Sequence, residues 1–198
     1  LRFLLARQIS SLRPIQDETV VLHATTACRD VGLKRLPRLL WTASNASPAV
    51  VGWWKPALLL PQESSVLRPE TLRPILLHEL RHVRSGDTLL TWLPHVVCSL
   101  FWFNPLAWRA AGRMRLEREL ASDDSVLLAG EDAVNYADHL LEIAAAISPQ
   151  FRVPAAASAM ATHTNLHSRV FRLMQKDIDR SQLSSRTSNA LLLLAVLL

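Results

Sequence analysis

Five consecutive residues, His78-Glu79-Leu80-Arg81-His82, constrain this chain more than any other part of it. On a helix, side chains four positions apart lie one turn apart on the same face, so the two imidazoles can meet at a single Zn²⁺. Glu79 between them can then reach a water at the open coordination position. The surrounding period is helical, with Leu72, Ile75, Leu76, Leu80 and Val83 on one stripe, which predicts a helix over about 70–86. Pro74 is awkward there: outside the first turn it removes a backbone hydrogen bond, so the helix is expected to start later or to bend. The competing reading is a helix with surface histidines and a salt-bridging Glu, which the apolar neighbours oppose. Shuffling this composition yields the pattern about once in a hundred sequences, so other residues must carry the rest of the argument.

A catalytic zinc needs a third protein ligand and leaves a fourth position open. Position 88, where a histidine-rich metzincin pattern would place its last His, is Thr. A carboxylate remains, and the best candidate is Glu119, in the stretch Arg115-Leu-Glu-Arg-Glu119-Leu-Ala-Ser-Asp123-Asp124. Asp123 stands one helical turn further on, able to take the other ring N–H of a ligand His and fix its tautomer. Glu117 points about 160° away from Glu119 on a helix, so at most one of the two can ligate. Taken alone, Glu119 would read as half of an exposed ion pair with Arg115; the upstream histidines favour the ligand.

Elsewhere the pattern predicts an α+β, mainly α protein. Residues 19–24 and 38–43 are β-branched, aromatic or Leu-rich over strand lengths, and 47–52 and 56–61 form two apolar runs bounded by prolines, giving a small sheet within 17–61 that ends in a hairpin. An edge strand there could pair with an extended peptide, or the sheet could simply pack. The apolar run 88–103 stops at Asn104-Pro105, a favoured N-cap followed by a favoured first helical residue, which predicts a helical hairpin over 88–128 with Gly130 as the stop. A helix over 132–147, a loop over 148–165 and a last helix over 166–176 complete the C-terminal part. Tyr136 and His139 are weighed as electrophiles and set aside as a core tyrosine and a surface histidine.

The 198 residues suit one ordinary domain, here 13–180. Residues 1–12 read as the end of a truncated transmembrane helix and a linker, and 187–198 as the start of another, each too short to span a bilayer. Arg2, Arg7 and Arg13 near one end and Lys176, Arg180 and Arg186 near the other place the loop between them in the cytoplasm by the positive-inside rule. The net charge of +5 could suit nucleic acid, but no recognition motif supports direct binding. Cys28 and Cys98 read as buried thiols rather than a disulfide.

Four blocks occur in order: Ser47-Pro48-x-x-x-Gly52-x-x-Lys55-Pro56-x-x-x-x-Pro61; His78-Glu79-Leu80-Arg81-His82 with Asp87; Phe103-Asn104-Pro105-Leu106-x-Trp108; and Glu119-Leu-Ala-Ser-Asp123. Together they resemble the membrane peptidases of the BlaR/MecR type, β-lactam-sensing signal transducers and their relatives, over nearly the whole chain. The resemblance implies a gluzincin: His78, His82 and Glu119 on zinc, Glu79 as catalytic base, Asp123 as the acid behind a ligand, and Asp87 in a capping or orienting role. Zinc would lower the pKa of its water and polarise the scissile carbonyl while Glu79 moves the proton to the leaving amine.

The implied setting is a bacterial inner membrane with the site facing the cytoplasm and a protein substrate, a transcription repressor or the chain itself. Two departures from the family pattern, Ser122 where relatives often have Cys and Pro74 in the motif helix, are expected to touch no ligand. A non-catalytic membrane receptor or scaffold retaining the fold is the rival reading. If 88–103 crossed the membrane, Glu119 would lie on the far side from His78, so the hairpin must be either a soluble core element or only partly inserted.

Overall fold

The computed structural model describes residues 12–42, 47–52, 54–87, 91–147, 156–175 and 180. These fold as a mainly helical α+β arrangement with one three-stranded sheet. In chain order the elements are α1 (Glu18–Asp30), β1 (Arg38–Thr42), β2 (Ala49–Val51), β3 (Ala57–Pro61), a 3-10 turn (Gln62–Val66), α2 (Pro69–Ser85), α3 (Trp92–Leu100), α4 (Pro105–Leu128), α5 (Ala133–Ile147) and α6 (Ala156–Met174).

Helix α1 replaces the strand expected at 19–24. Asp17 accepts from the backbone N–H of Thr19 at 2.9 Å and of Val20 at 3.3 Å, an N-cap that the β-branched run obscured. Val20, Ala24, Ala27 and Cys28 are buried, a spacing of four, three and one that only a helix puts on one face. The sheet therefore begins at Arg38. Its order is β1-β3-β2, with β1 parallel and β2 antiparallel to the central β3, so the β2–β3 hairpin is present and β2 is an edge.

Helix α2 begins at Pro69, not after Pro74, with Pro at a first-turn position where its missing N–H costs nothing. Pro74 is fully buried inside the helix, and the burial of its ring accompanies a backbone donor the helix does without. Leu76, Leu77 and Leu80 are entirely buried in a core shared with residues of α1 and β3, each contributing about 1.5–3 kcal/mol by removal from water. This apolar face orients the helix, and its histidines follow.

Asn104 caps α4 by accepting from the Leu106 N–H at 2.9 Å, with Pro105 first in the helix. Asp132 caps α5 in the same way. Helix α6 starts at Ala156, ten residues before the expected start, so part of the loop expected over 148–165 is helix; 148–155 lie outside the described residues. Among the described residues no helix is long and apolar enough to cross a membrane. The truncated spans expected at 1–12 and 187–198 fall almost wholly outside them.

Candidate metal centre

Helices α2 and α4 cross, and the crossing brings three donors together. His78 and His82 set their Nε2 atoms 3.3 Å apart, with the rings edge to face. From α4, Glu119 places Oε2 at 3.5 Å from His78 Nε2 and Oε1 at 3.8 Å from His82 Nε2. One ligand atom from each of the three lies within 4.8 Å of the others. A tetrahedral ion with bonds of about 2.05 Å separates its donors by about 3.4 Å, so this two-imidazole, one-carboxylate set fits Zn²⁺ with small side-chain adjustments.

The outward nitrogens of both imidazoles are held by acids. His78 Nδ1 lies 3.0 Å from Asp123 Oδ1 and 3.0 Å from the Tyr136 hydroxyl, which itself donates to Asp123 Oδ1 at 2.7 Å. Arg169 on α6 closes the group from behind, donating from Nε to Asp123 Oδ2 at 2.7 Å and from Nη2 to Oδ1 at 2.8 Å. Its third nitrogen, Nη1, lies 3.2 Å from Glu119 Oε2.

His82 Nδ1 lies 2.7 Å from Asp87 Oδ2. Gly86, at φ +68°, ends α2 in the left-handed conformation and turns the chain so that Asp87 faces back toward the helix. Arg118 steadies that turn from α4, donating to the Asp87 carbonyl at 3.3 Å and to Thr91 Oγ1 at 3.1 Å. Such partners fix the tautomer that leaves Nε2 free for a metal. Ser122, expected to touch no ligand, is buried with Oγ 3.3 Å from His82 Nδ1. A side chain at that position therefore reaches the ring through the crossing.

The electrostatics follow from burial set against these contacts. Burial alone would lower the His78 pKa, but hydrogen bonds to Asp123 and Glu119 outweigh it and lift the group to about 9 in the metal-free protein. Burial raises Glu119, while His78, Arg169 and His82 more than reverse this and hold it at about 2. Asp123 is held well below the usual carboxylate range despite its burial, chiefly by His78 and Arg169. Glu79 moves the other way: burial pushes its carboxyl up, opposed by the charges of the two histidines.

Glu79, His78, His82 and Glu119 open onto a cavity of about 350 Å³. Ile75, Leu140 and Ile143 form an apolar wall, and residues of the β2 edge, including Ala49 and Val50, line another side. His139, read as a surface residue, lines this cavity; its Nε2 lies 3.3 Å from Thr71 Oγ1 and its Nδ1 is buried without a partner among the described residues. Tyr136 is a core residue, 2% exposed, that also lines the cavity, its hydroxyl held by Asp123 and His78.

The structure thus brings His78, His82, Glu119, Asp123 and Asp87 into one network and puts Glu79 on the same cavity. Arg169 is the participant the sequence did not reveal. The available signal was a pairing: Arg169 and Arg172, three apart on α6, meet Asp123 and Asp124, two consecutive buried acids on α4.

The chain is 32% identical over 81 residues to the regulatory protein BlaR1 of Bacillus licheniformis, covering 41% of this chain and 14% of that protein. It is 28% identical over 133 residues to the methicillin resistance mecR1 proteins of Staphylococcus aureus and Staphylococcus epidermidis, covering 66% of this chain and 23% of each relative. The match therefore spans under a quarter of the length of these curated relatives. No solved structure matches the chain. The model of the BlaR1 peptidase M56 family matches residues 2–173, across the helices that carry His78, His82 and Glu119 and nearly all of α6, and the chain belongs to that family.

Proposed function

We infer that the protein is a zinc-dependent metalloendopeptidase of a bacterial membrane, its site facing the cytoplasm, that cleaves a cytoplasmic protein, itself, or both. Such cleavage would relay a signal, with a transcription repressor as the fitting class of target. The carrying observation is the convergence of His78, His82 and Glu119 within 4.8 Å beside a Glu79 that shares their cavity. The names of the relatives, a regulatory protein and methicillin resistance proteins, support the signalling part.

In this reading His78, His82 and Glu119 hold the zinc, which when bound supplies Lewis acidity and lowers the pKa of water. Glu79 accepts the proton of the attacking water and hands it to the leaving amine; burial, by raising its pKa, suits a group that must take a proton and release it. Asp123 and Asp87 keep the two imidazoles in register. The β2 edge along the cavity offers backbone groups to an extended peptide, laying the scissile bond across the donors. Hydrolysis needs no covalent intermediate.

The test pairs metal analysis with Glu79→Gln. The expected result is one zinc per chain in both proteins and cleavage lost by at least about a hundredfold in the variant. Unchanged proteolysis by the variant would remove Glu79 from its role, and a protein that binds zinc without cleaving any candidate repressor or itself would favour a receptor or scaffold.

A further inference from the structure

The turn from α3 into α4 presents a surface unlike the rest of the described protein. Leu100, Phe101, Trp102, Phe103, Leu106 and Trp108 are all exposed, Trp102 by 71%, Phe103 by 68% and Leu106 by 69%. Scattered exposed apolar residues are ordinary; a contiguous aromatic cluster at the tip of a hairpin is not. The tip is also well built. Phe101 N–H donates to Val97 O at 2.8 Å, Asn104 N–H to Phe101 O at 2.9 Å, and the Trp108 indole N–H to Trp102 O at 3.0 Å. Behind it, buried Cys98 and Ala107 pack α3 on α4, with Cys98 Sγ 3.7 Å from Ala107 O.

Charge identifies the occupant. No Asp or Glu stands between Asp87 and Glu117, whereas Arg109, Arg113 and Arg115 are exposed further along α4, Arg113 paired with Glu117 at 2.5 Å and the other two adding positive charge beyond the tip. An apolar tip, Trp108 at its rim and then arginines is the order of depth found where a segment enters the headgroup region of an anionic bilayer. A second copy docked tip to tip would oppose like arginine collars. Helix α3, with nine residues, is about 14 Å long, half the thickness of a hydrocarbon core, so the hairpin can dip in but not span.

The geometry points to the α3–α4 tip as a membrane-docking surface that seats Trp102, Phe103 and Leu106 in the interface of a bilayer containing anionic lipid. This holds independently of catalysis, since it draws on none of the site residues. It also deepens the proposed function: Glu119 lies eleven residues along α4 from Trp108, about 16 Å, which keeps the metal centre off the lipid yet within reach of a membrane-proximal substrate.

The test uses the full-length protein in vesicles of equal phosphatidylglycerol and phosphatidylcholine carrying nitroxide-labelled lipid. A fluorophore is attached at Trp102→Cys or Phe103→Cys, with Leu22→Cys on α1 as the exposed reference; native Cys28 and Cys98 are buried. Positions 102 and 103 should lose at least half their emission to the lipid quencher while position 22 loses none, and Arg109→Glu with Arg113→Glu should reduce the quenching at least twofold. Equal quenching at 102 and 22 would overturn the proposal, as would efficient cross-linking of position 102 between copies without lipid quenching. Quenching that is unchanged in pure phosphatidylcholine would overturn its anionic part.

Discussion

Arg169 grips Asp123 by both carboxylate oxygens, at 2.7 and 2.8 Å, while its remaining nitrogen lies 3.2 Å from Glu119. One guanidinium thereby ties the acid behind His78 to the carboxylate beside it. The grip also fixes α6 on α4, so α6 has a part in the shape of the candidate metal centre.

Replacing Arg169 by Met leaves Asp123 buried and short of its strongest partner. Removing one member of a buried pair costs about 3–5 kcal/mol, and the loss of support behind a metal ligand lowers metal affinity by about 10–100-fold. Thermal unfolding and a competitive zinc titration read the two effects separately. Stability and affinity both equal to those of the parent would show that the grip contributes neither.

Tyr136→Phe removes only a hydroxyl, the one shared between Asp123 and His78 Nδ1. Hydrogen bonds to charged groups contribute about 1.5–3 kcal/mol, so chemical denaturation should show a loss of that order. Zinc should still bind at one per chain, because Asp123 continues to face His78 Nδ1 at 3.0 Å.

The metal-free site has a defined pH signature. With its folded pKa raised to about 9 from 6.5, His78 contributes stability that is fully present below 6.5 and lost as pH rises through 9. Glu119, depressed to about 2 from 4.5, contributes stability present above 4.5 and lost as pH falls toward 2. In chelator, the Tm difference between the parent and His78→Gln should therefore be largest near pH 5–6 and shrink toward pH 9; a difference that grows with pH would contradict the assigned contacts. Zinc must displace the His78 proton, so binding near neutral pH should release about one proton, measurable by calorimetry in buffers of different ionisation heat.

How far the sequence carried depended on whether a feature is local. The motif helix, the Asn104-Pro105 start of α4 and the four-residue step from Glu119 to Asp123 are local, and each stands where the spacing placed it. Helix α1 was hidden because Thr19, Val20 and Val21 resemble a strand over a short window, while the burial that decides the matter extends to Cys28. The start of α6 was hidden by an Ala- and Thr-rich stretch with no apolar stripe. Arg169 was illegible for a third reason: 46 residues separate it from Asp123, and only the packing of α6 on α4 gives it a meaning. His139 shows the same limit, since its place on the cavity depends on how α5 lies against α2.

The central claim is that His78, His82 and Glu119 together hold one zinc. X-ray absorption at the zinc edge, on the purified protein and on Glu119→Ala, tests it most directly. The account predicts a first shell of two imidazole nitrogens with oxygen neighbours in the parent, and a shell that loses an oxygen, with weakened binding, in the variant. A sulfur neighbour, or a zinc environment and affinity unchanged by Glu119→Ala, would contradict it.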